Sequence, residues 1–178
     1  MPDNITKTDY AKRREEEMTK KETGSSSDSL LERFKGIIRD AEGLKLEAYK
    51  PDPTEEHWTI GFGRYGAEIK EGDTITEETA EEMLDEDVSV RIDSLEELLP
   101  EFDTYPDSLK DALFSEHYRG SIADSPKTVK LMLDYDFDEA ALEYLRNKEY
   151  EQAEEKGIPG IRPRMEKLAE ELGKLSAK

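Results

Sequence analysis

The feature that most constrains the fold is an apolar stripe at helical spacing, Ala80, Met83, Leu84, Val88, Ile92, Leu95 and Leu99, bounded by Thr76 and Pro100. Apolar side chains recurring every three to four residues line one face of a helix. A threonine hydroxyl caps amide donors at a helix start and proline cannot continue a helix, so the spacing predicts one long helix in mid-chain. Before it, Leu30, Leu31, Phe34, Ile37 and Ile38 predict a shorter helix. Ser29 and Glu32 open that helix as a capping box, and Glu42-Gly43 ends it just after Ala41. Two strand-like pieces, 44–50 and 57–64, lie between the helices, separated by Pro51-Asp52-Pro53-Thr54. In the second piece Trp58, Ile60 and Phe62 alternate with Thr59, Gly61 and Gly63, so Thr59 faces away from the apolar side.

Past Pro100 the pattern is helical in short pieces, 105–118, 126–133, 137–146, 148–156 and 164–175, the last with Met165, Leu168, Leu172 and Leu175 as its stripe. One helix, a small antiparallel hairpin and then helices to the end make an α+β arrangement with segregated parts. Residues 1–29 have few apolar side chains beyond Ile5, Tyr10 and Met18 and end in a Gly/Ser run. They read as a charged tail and linker, with 8–22 at most a marginal helix. Residues 30–178 read as one domain.

Charge narrows the partners. The 178-residue chain carries a formal net charge of −19. Its first thirty residues hold six basic and seven acidic groups, so the acidity belongs to the body. Nucleic acid and anionic membranes attract clustered cations, and this chain presents the opposite field. No window is apolar enough to span a bilayer, and the amino terminus has no stretch that serves as a secretory signal. The absence of cysteine removes disulfides, thiolate metal sites and cysteine nucleophiles. His57 and His117 are too few for a histidine metal cluster. Asp134-Tyr135-Asp136-Phe137-Asp138 has the start of a calcium loop, but Glu139 stands where Gly is needed and Leu145 where Glu is needed. It reads as a helix start with acids at the positive end of the dipole. No metal and no cofactor are expected.

The stretch Glu42-Gly43-Leu44-Lys45-Leu46-Glu47-Ala48-Tyr49, followed by Trp58-Thr59-Ile60-Gly61-Phe62-Gly63, resembles the phage-type muramidases, the endolysins of glycoside hydrolase family twenty-four. Ile75 to Glu81, Phe137 to Leu142 and Gly160 to Glu166 resemble later segments of that family in the same order, so the resemblance covers 30 to about 172. It implies a lysozyme-like fold: a small antiparallel hairpin lobe joined by a long helix to a helical lobe, with the glycan between lobes. It also implies hydrolysis of the β-1,4 bond between N-acetylmuramic acid and N-acetylglucosamine in bacterial peptidoglycan, without a cofactor. Such cleavage usually takes a proton-donating acid and a second carboxylate, about 6.5–9.5 Å apart when a water must fit between them.

By the resemblance, Glu42 is the acid, Asp52 the base or electrostatic partner, and Thr59 the hydroxyl that holds the attacking water. Tyr49, Arg64 and Tyr118 are implied as sugar contacts, and Arg164, or Arg162, as the cation that orients the acid. Glu42 would need a pKa raised toward about 6 by partial burial, and a nearby cation would oppose that rise. The family's second acid stands nine positions after the first, where this chain has Pro51, so Glu55 and Glu56 compete with Asp52. Arg64 stands where the family commonly has His, and Tyr118-Arg119-Gly120 replaces an Asn-x-Gly element. The resemblance further implies a phage-encoded protein, virion-associated or acting from the host cytoplasm. An acidic enzyme on an anionic wall is repelled unless salt screens the charge or a tether delivers it, and residues 1–29 could bind virion proteins. The competing expectation is a catalytically weak or inactive lysozyme-like module of the virion or cell wall.

Overall fold

A computed structural model describes residues 26–153, 158 and 160–176, with side chains from residue 29. The tail helix expected at 8–22 lies outside the described residues. The described residues form two compact units, divided between Ile92 and Asp93.

In the first unit, helix α1 (Ser26–Glu42) buries Phe34 and Ile38. It starts at Ser26, so Ser29 lies within the first turn rather than capping it. Strands β1 (Lys45–Tyr49), β2 (Trp58–Gly61) and β3 (Arg64–Gly66) form one antiparallel sheet in that order. The expected single strand over 57–64 is thus a hairpin. Ile60 pairs with Arg64, and the chain reverses through Gly61 (φ +67°) and Gly63 (φ +93°), conformations that side chains with a Cβ resist. One sheet face carries Ala48 and Ile60 into a small core with Ile69, against which Trp58, Ile75 and Met83 pack. Residues 73–75 run along β1, where Ala48 N–H donates to the Asp73 carbonyl and Ile75 N–H to that of Leu46, both at 2.9 Å.

Helix α2 (Glu77–Leu98) is the long helix of the sequence pattern. Thr79 N–H donates to Thr76 Oγ1 at 3.1 Å, the expected cap, and Ala80, Leu84, Val88 and Leu95 are buried along it. Ion pairs fasten α1 to it. Arg39 donates from Nε and Nη2 to the two oxygens of Glu81 at 2.9 and 2.5 Å, and buried Lys35 pairs with Asp85 as well as with Glu32.

The second unit is helical. After a 3-10 turn (Phe102–Thr104) come α3 (Asp107–Tyr118), α4 (Pro126–Leu133), α5 (Phe137–Leu145), α6 (Lys148–Gln152) and α7 (Ile161–Ser176). α7 packs on α3 and α5, and α4 on α5, around Leu109, Leu113, Phe114, Phe137, Leu168 and Leu172. α3 starts after Pro106 rather than at Tyr105, because a residue preceding proline is pushed out of the helical region. α7 starts three residues before the expected Arg164, with Pro163 in the first turn, where its missing N–H costs nothing. Asp136 accepts from Glu139 N–H at 3.4 Å, so the apparent calcium loop is a helix cap. Among the described residues no helix is long and apolar enough to cross a membrane.

Candidate active site

Glu42 is the last residue of α1, and Gly43 (φ +68°) closes the helix behind it by donating to the Arg39 carbonyl at 3.2 Å. A left-handed residue at this position is a common helix terminator, which is why the pair Glu-Gly sets an exposed acid at the helix end. The Glu42 carboxylate lies over the backbone of Gly63: a β carbon placed there would stand 3.5 Å from Oε2 and 3.7 Å from Cδ. The acid therefore lies against the hairpin turn.

Across the sheet, Tyr49 pairs with Thr59 and Thr59 with Tyr65. Cross-strand partners share a face, so these three make a polar row opposite the Ala48 and Ile60 core, and Thr59 is only 5% exposed. Burial, then the charges of Glu42 and Glu55, push the Tyr49 phenol above its ordinary value of 10. Glu42, Tyr49, Glu55 and Thr59 thus occupy one neighbourhood of the first unit.

The loop between β1 and β2 holds the other candidate acids. Asp52 is exposed, and its Oδ1 accepts from Thr54 N–H at 2.8 Å and Thr54 Oγ1–H at 2.7 Å. These two bonds hold its carboxyl below the usual aspartate value. Glu56 is exposed. Glu55 is half-buried: its carbonyl accepts from Lys50 Nζ at 2.6 Å, and its Oε2 is buried with no hydrogen-bond partner among the described residues. The Lys50 ammonium stands 5.4 Å from the centre of the Trp58 ring, a cation–π contact that helps fix the loop.

Arg64 is engaged with α2. Its Nη2 donates to Asp87 Oδ1 at 2.8 Å, to the Met83 carbonyl at 2.9 Å and to Glu86 Oε2 at 3.0 Å, while Nε donates to Asp87 Oδ2 at 3.0 Å. The hydrogen bonds to Asp87 raise the pKa of the guanidinium despite its partial burial. Arg64 therefore locks β3 to the long helix.

The second unit holds the remaining predicted residues. Tyr118 ends α3, half-buried, its ring centre 6.0 Å from that of Phe114. Arg164 donates from Nη2 to Ser115 Oγ at 2.9 Å and brings Nε within 3.6 Å of Glu116 Oε1. Arg162 donates to the Tyr150 carbonyl at 3.0 Å and lies 4.8 Å from the centre of that ring. Glu116 is a residue sequence reasoning missed. It is fully buried, accepts from Tyr144 Oη–H at 2.5 Å and Arg119 Nη2 at 2.9 Å, and joins α3, α5 and α7. The pattern offered no signal for it, since its partners are far apart in the chain. Among the described residues no group of three or more His, Asp or Glu side chains is arranged to hold a metal ion.

The family pattern for phage lysozyme matches residues 39–167. The chain belongs to the phage lysozyme family. The match takes in Glu42, the hairpin, α2 and most of the helical unit. Similar proteins include the endolysin of Bacillus phage PZA, 44% identical over 63 residues, which are 35% of this chain and 24% of that protein. The endolysin of Bacillus phage B103 is 43% identical over the same length and shares. That of Lactococcus phage c2 is 42% identical over 53 residues, 30% of this chain and 23% of the other. The chain thus spans about a quarter of the length of these curated relatives. As a phage lysozyme it has an α+β fold in which a three-stranded sheet and a long helix precede a helical unit, and its helix-end glutamate stands at the sheet's polar row.

Proposed function

We propose that this phage lysozyme hydrolyses peptidoglycan, cleaving the β-1,4 bond between N-acetylmuramic acid and N-acetylglucosamine. The observation that carries the reading is the placement of the Glu42 carboxylate, exposed at a helix end, over Gly63 and beside Tyr49, the cross-strand partner of Thr59. In this reading Glu42 donates a proton to the bridging oxygen as the bond to the anomeric carbon breaks. A second carboxylate from the 51–56 loop accepts a proton from the attacking water, and the Thr59 hydroxyl helps hold that water. Tyr49 supplies an aromatic surface for the sugar next to the acid. The names of its relatives support a phage-encoded protein that acts on the cell wall.

The net charge of −19 argues for action at moderate to high salt, or for delivery through residues 1–29 to virion proteins, because an anionic wall repels an acidic enzyme over roughly one Debye length. The test is reducing-end release and turbidity loss on purified peptidoglycan, wild type beside Glu42→Gln, at low and roughly half-molar salt. Activity that disappears in the variant while thermal unfolding stays in place supports the reading. Wall binding without product at either salt would instead select a module without turnover.

A further inference from the structure

We propose that Glu55, rather than Asp52, is the second carboxylate of the site and the base that takes the proton from the attacking water. This inference rests on the muramidase reading and names the residue that reading leaves open.

Asp52 is poorly suited to be the base. It faces solvent, and the oxygen that accepts from Thr54 N–H and Thr54 Oγ1–H is already engaged within its own turn. Hydrogen bonds to the ionised form make a carboxylate a weaker base. The same turn has a different use. Asp52 offers its carbonyl to Glu55 N–H at 3.0 Å, and the Lys50 ammonium takes the Glu55 carbonyl at 2.6 Å. The backbone of Glu55 is therefore held on both sides. Asp52 acts as a positioning residue for Glu55.

The side chain of Glu55 has the opposite character to that of Asp52. Its Oε2 is buried and accepts no hydrogen bond among the described residues. A buried carboxylate oxygen without a donor is costly to keep, and such atoms call for an explanation. Of the three other carboxylate oxygens in this condition, on Asp85, Asp111 and Glu116, those of Asp85 and Glu116 have Lys35 and Arg164 beside them as ion-pair partners. Glu55 has no ion pair among the described residues; protein covers its Oε2, so the oxygen that can meet a water is Oε1. Its charge and that of Glu42 both bear on the Tyr49 phenol, which places the two carboxylates around one tyrosine next to Thr59.

In the reaction, water's oxygen bonds to the anomeric carbon as Glu55 accepts one of its protons. The bond from that carbon to the bridging oxygen breaks with its electron pair, and Glu42 protonates that oxygen. Exchange with solvent returns Glu55 to its ionised form and Glu42 to its acid form, so one water is consumed per bond cleaved.

The experiment compares Glu42→Gln, Asp52→Asn, Asp52→Ala, Glu55→Gln and Glu55→Ala by reducing-end release and thermal unfolding, with and without sodium azide. The expected result is a kcat loss of about a hundredfold or more in Glu55→Gln with little change in KM. Asp52→Asn keeps activity within about tenfold of wild type, and azide restores part of the activity of Glu55→Ala with a glycosyl azide among the products. A large loss in Asp52→Asn with near-normal Glu55→Gln overturns the assignment. So does azide rescue of Asp52→Ala in place of Glu55→Ala, which decides the case where both substitutions are damaging. Full activity in Glu42→Gln overturns the muramidase reading itself, a separate outcome.

Discussion

The carboxylate of Glu42 rests on the α carbon side of Gly63, with Oε2 3.5 Å from where a side chain would begin. Gly63 has φ +93°, and it is this backbone conformation that favours glycine there. Gly63→Ala is expected to cost about 1–2 kcal/mol from the backbone alone, read from the denaturant midpoint. The added methyl group would meet the acid at ordinary van der Waals distance, so kcat should fall no further than stability explains. An alanine variant with wild-type stability would show that the turn tolerates the change, and a kcat loss beyond the stability loss would show that the methyl group displaces the acid.

Arg64 serves stability in this structure through Asp87, Glu86 and the Met83 carbonyl. Its side chain is 21% exposed and that of Asp87 29%, so the pair is partly screened by water. Arg64→Ala is expected to lower stability by about 1–2 kcal/mol, between the values for surface and buried pairs. Chemical denaturation of Arg64→Ala, Asp87→Ala and the double variant measures the coupling. A raised KM with unchanged stability would instead make Arg64 a sugar ligand.

Acid should loosen the seam between α1 and α2. The hydrogen bond from Arg39 holds the Glu81 carboxyl below its ordinary 4.5, outweighing the opposing effect of its partial burial. A group with a depressed folded value adds stability above its unfolded pKa and loses it as pH falls through the folded one. Melting temperatures of wild type and Glu81→Gln should therefore differ at pH 7 and converge toward pH 3. A constant gap across that range would mean the carboxylate's charge is irrelevant to the seam.

Glu116 is the most consequential buried charge of the helical unit. Replacing it with Gln removes the buried counter-charge of Arg119 and Arg164, but Arg119 keeps Glu149 and Arg164 is 31% exposed, so the change should cost about 1–3 kcal/mol. Tyr144→Phe, which removes one hydrogen bond to Glu116, should cost about 1–3 kcal/mol. Burial, then the charge of Glu116, pushes the Tyr144 phenol far above the ordinary tyrosine range. Ultraviolet titration should therefore show at least one tyrosine that ionises only as the protein unfolds in alkali, and equal accessibility of all eight tyrosines would contradict the network.

Local signals carried much of the architecture. α4 is Pro126–Leu133 as expected, because proline at a helix start and an Asp134-Tyr135 break at its end are both written in adjacent residues. Thr76 and Pro100 likewise bracket α2. β3 was missed because Arg64-Tyr65-Gly66 has no alternation of its own, and only pairing with β2 makes it a strand. In the site, the Glu-Gly terminator made the helix-end place of Glu42 legible, while the role proposed for it comes from the family resemblance. The burial of Glu55 Oε2 and of Glu116 was not, since it depends on which distant side chains cover them. Arg64 was assigned to the sugar by its place after Gly-x-Gly, but the partners it takes lie some twenty residues onward on α2.

The division of the chain at Ile92 has a consequence for synthesis. The described residues of the first unit are contiguous, and they include Glu42, Glu55, Thr59 and Gly63. A ribosome adding roughly 5–20 residues per second releases that stretch before the helical unit exists. The sheet and its acidic loop can therefore assemble on the nascent chain. α2 is the element that must wait, since 93–98 completes it from the far side of the division. A product terminated just after residue 92 would carry every candidate reacting group of the first unit, with α2 lacking its last turn and a half and its end left to fray.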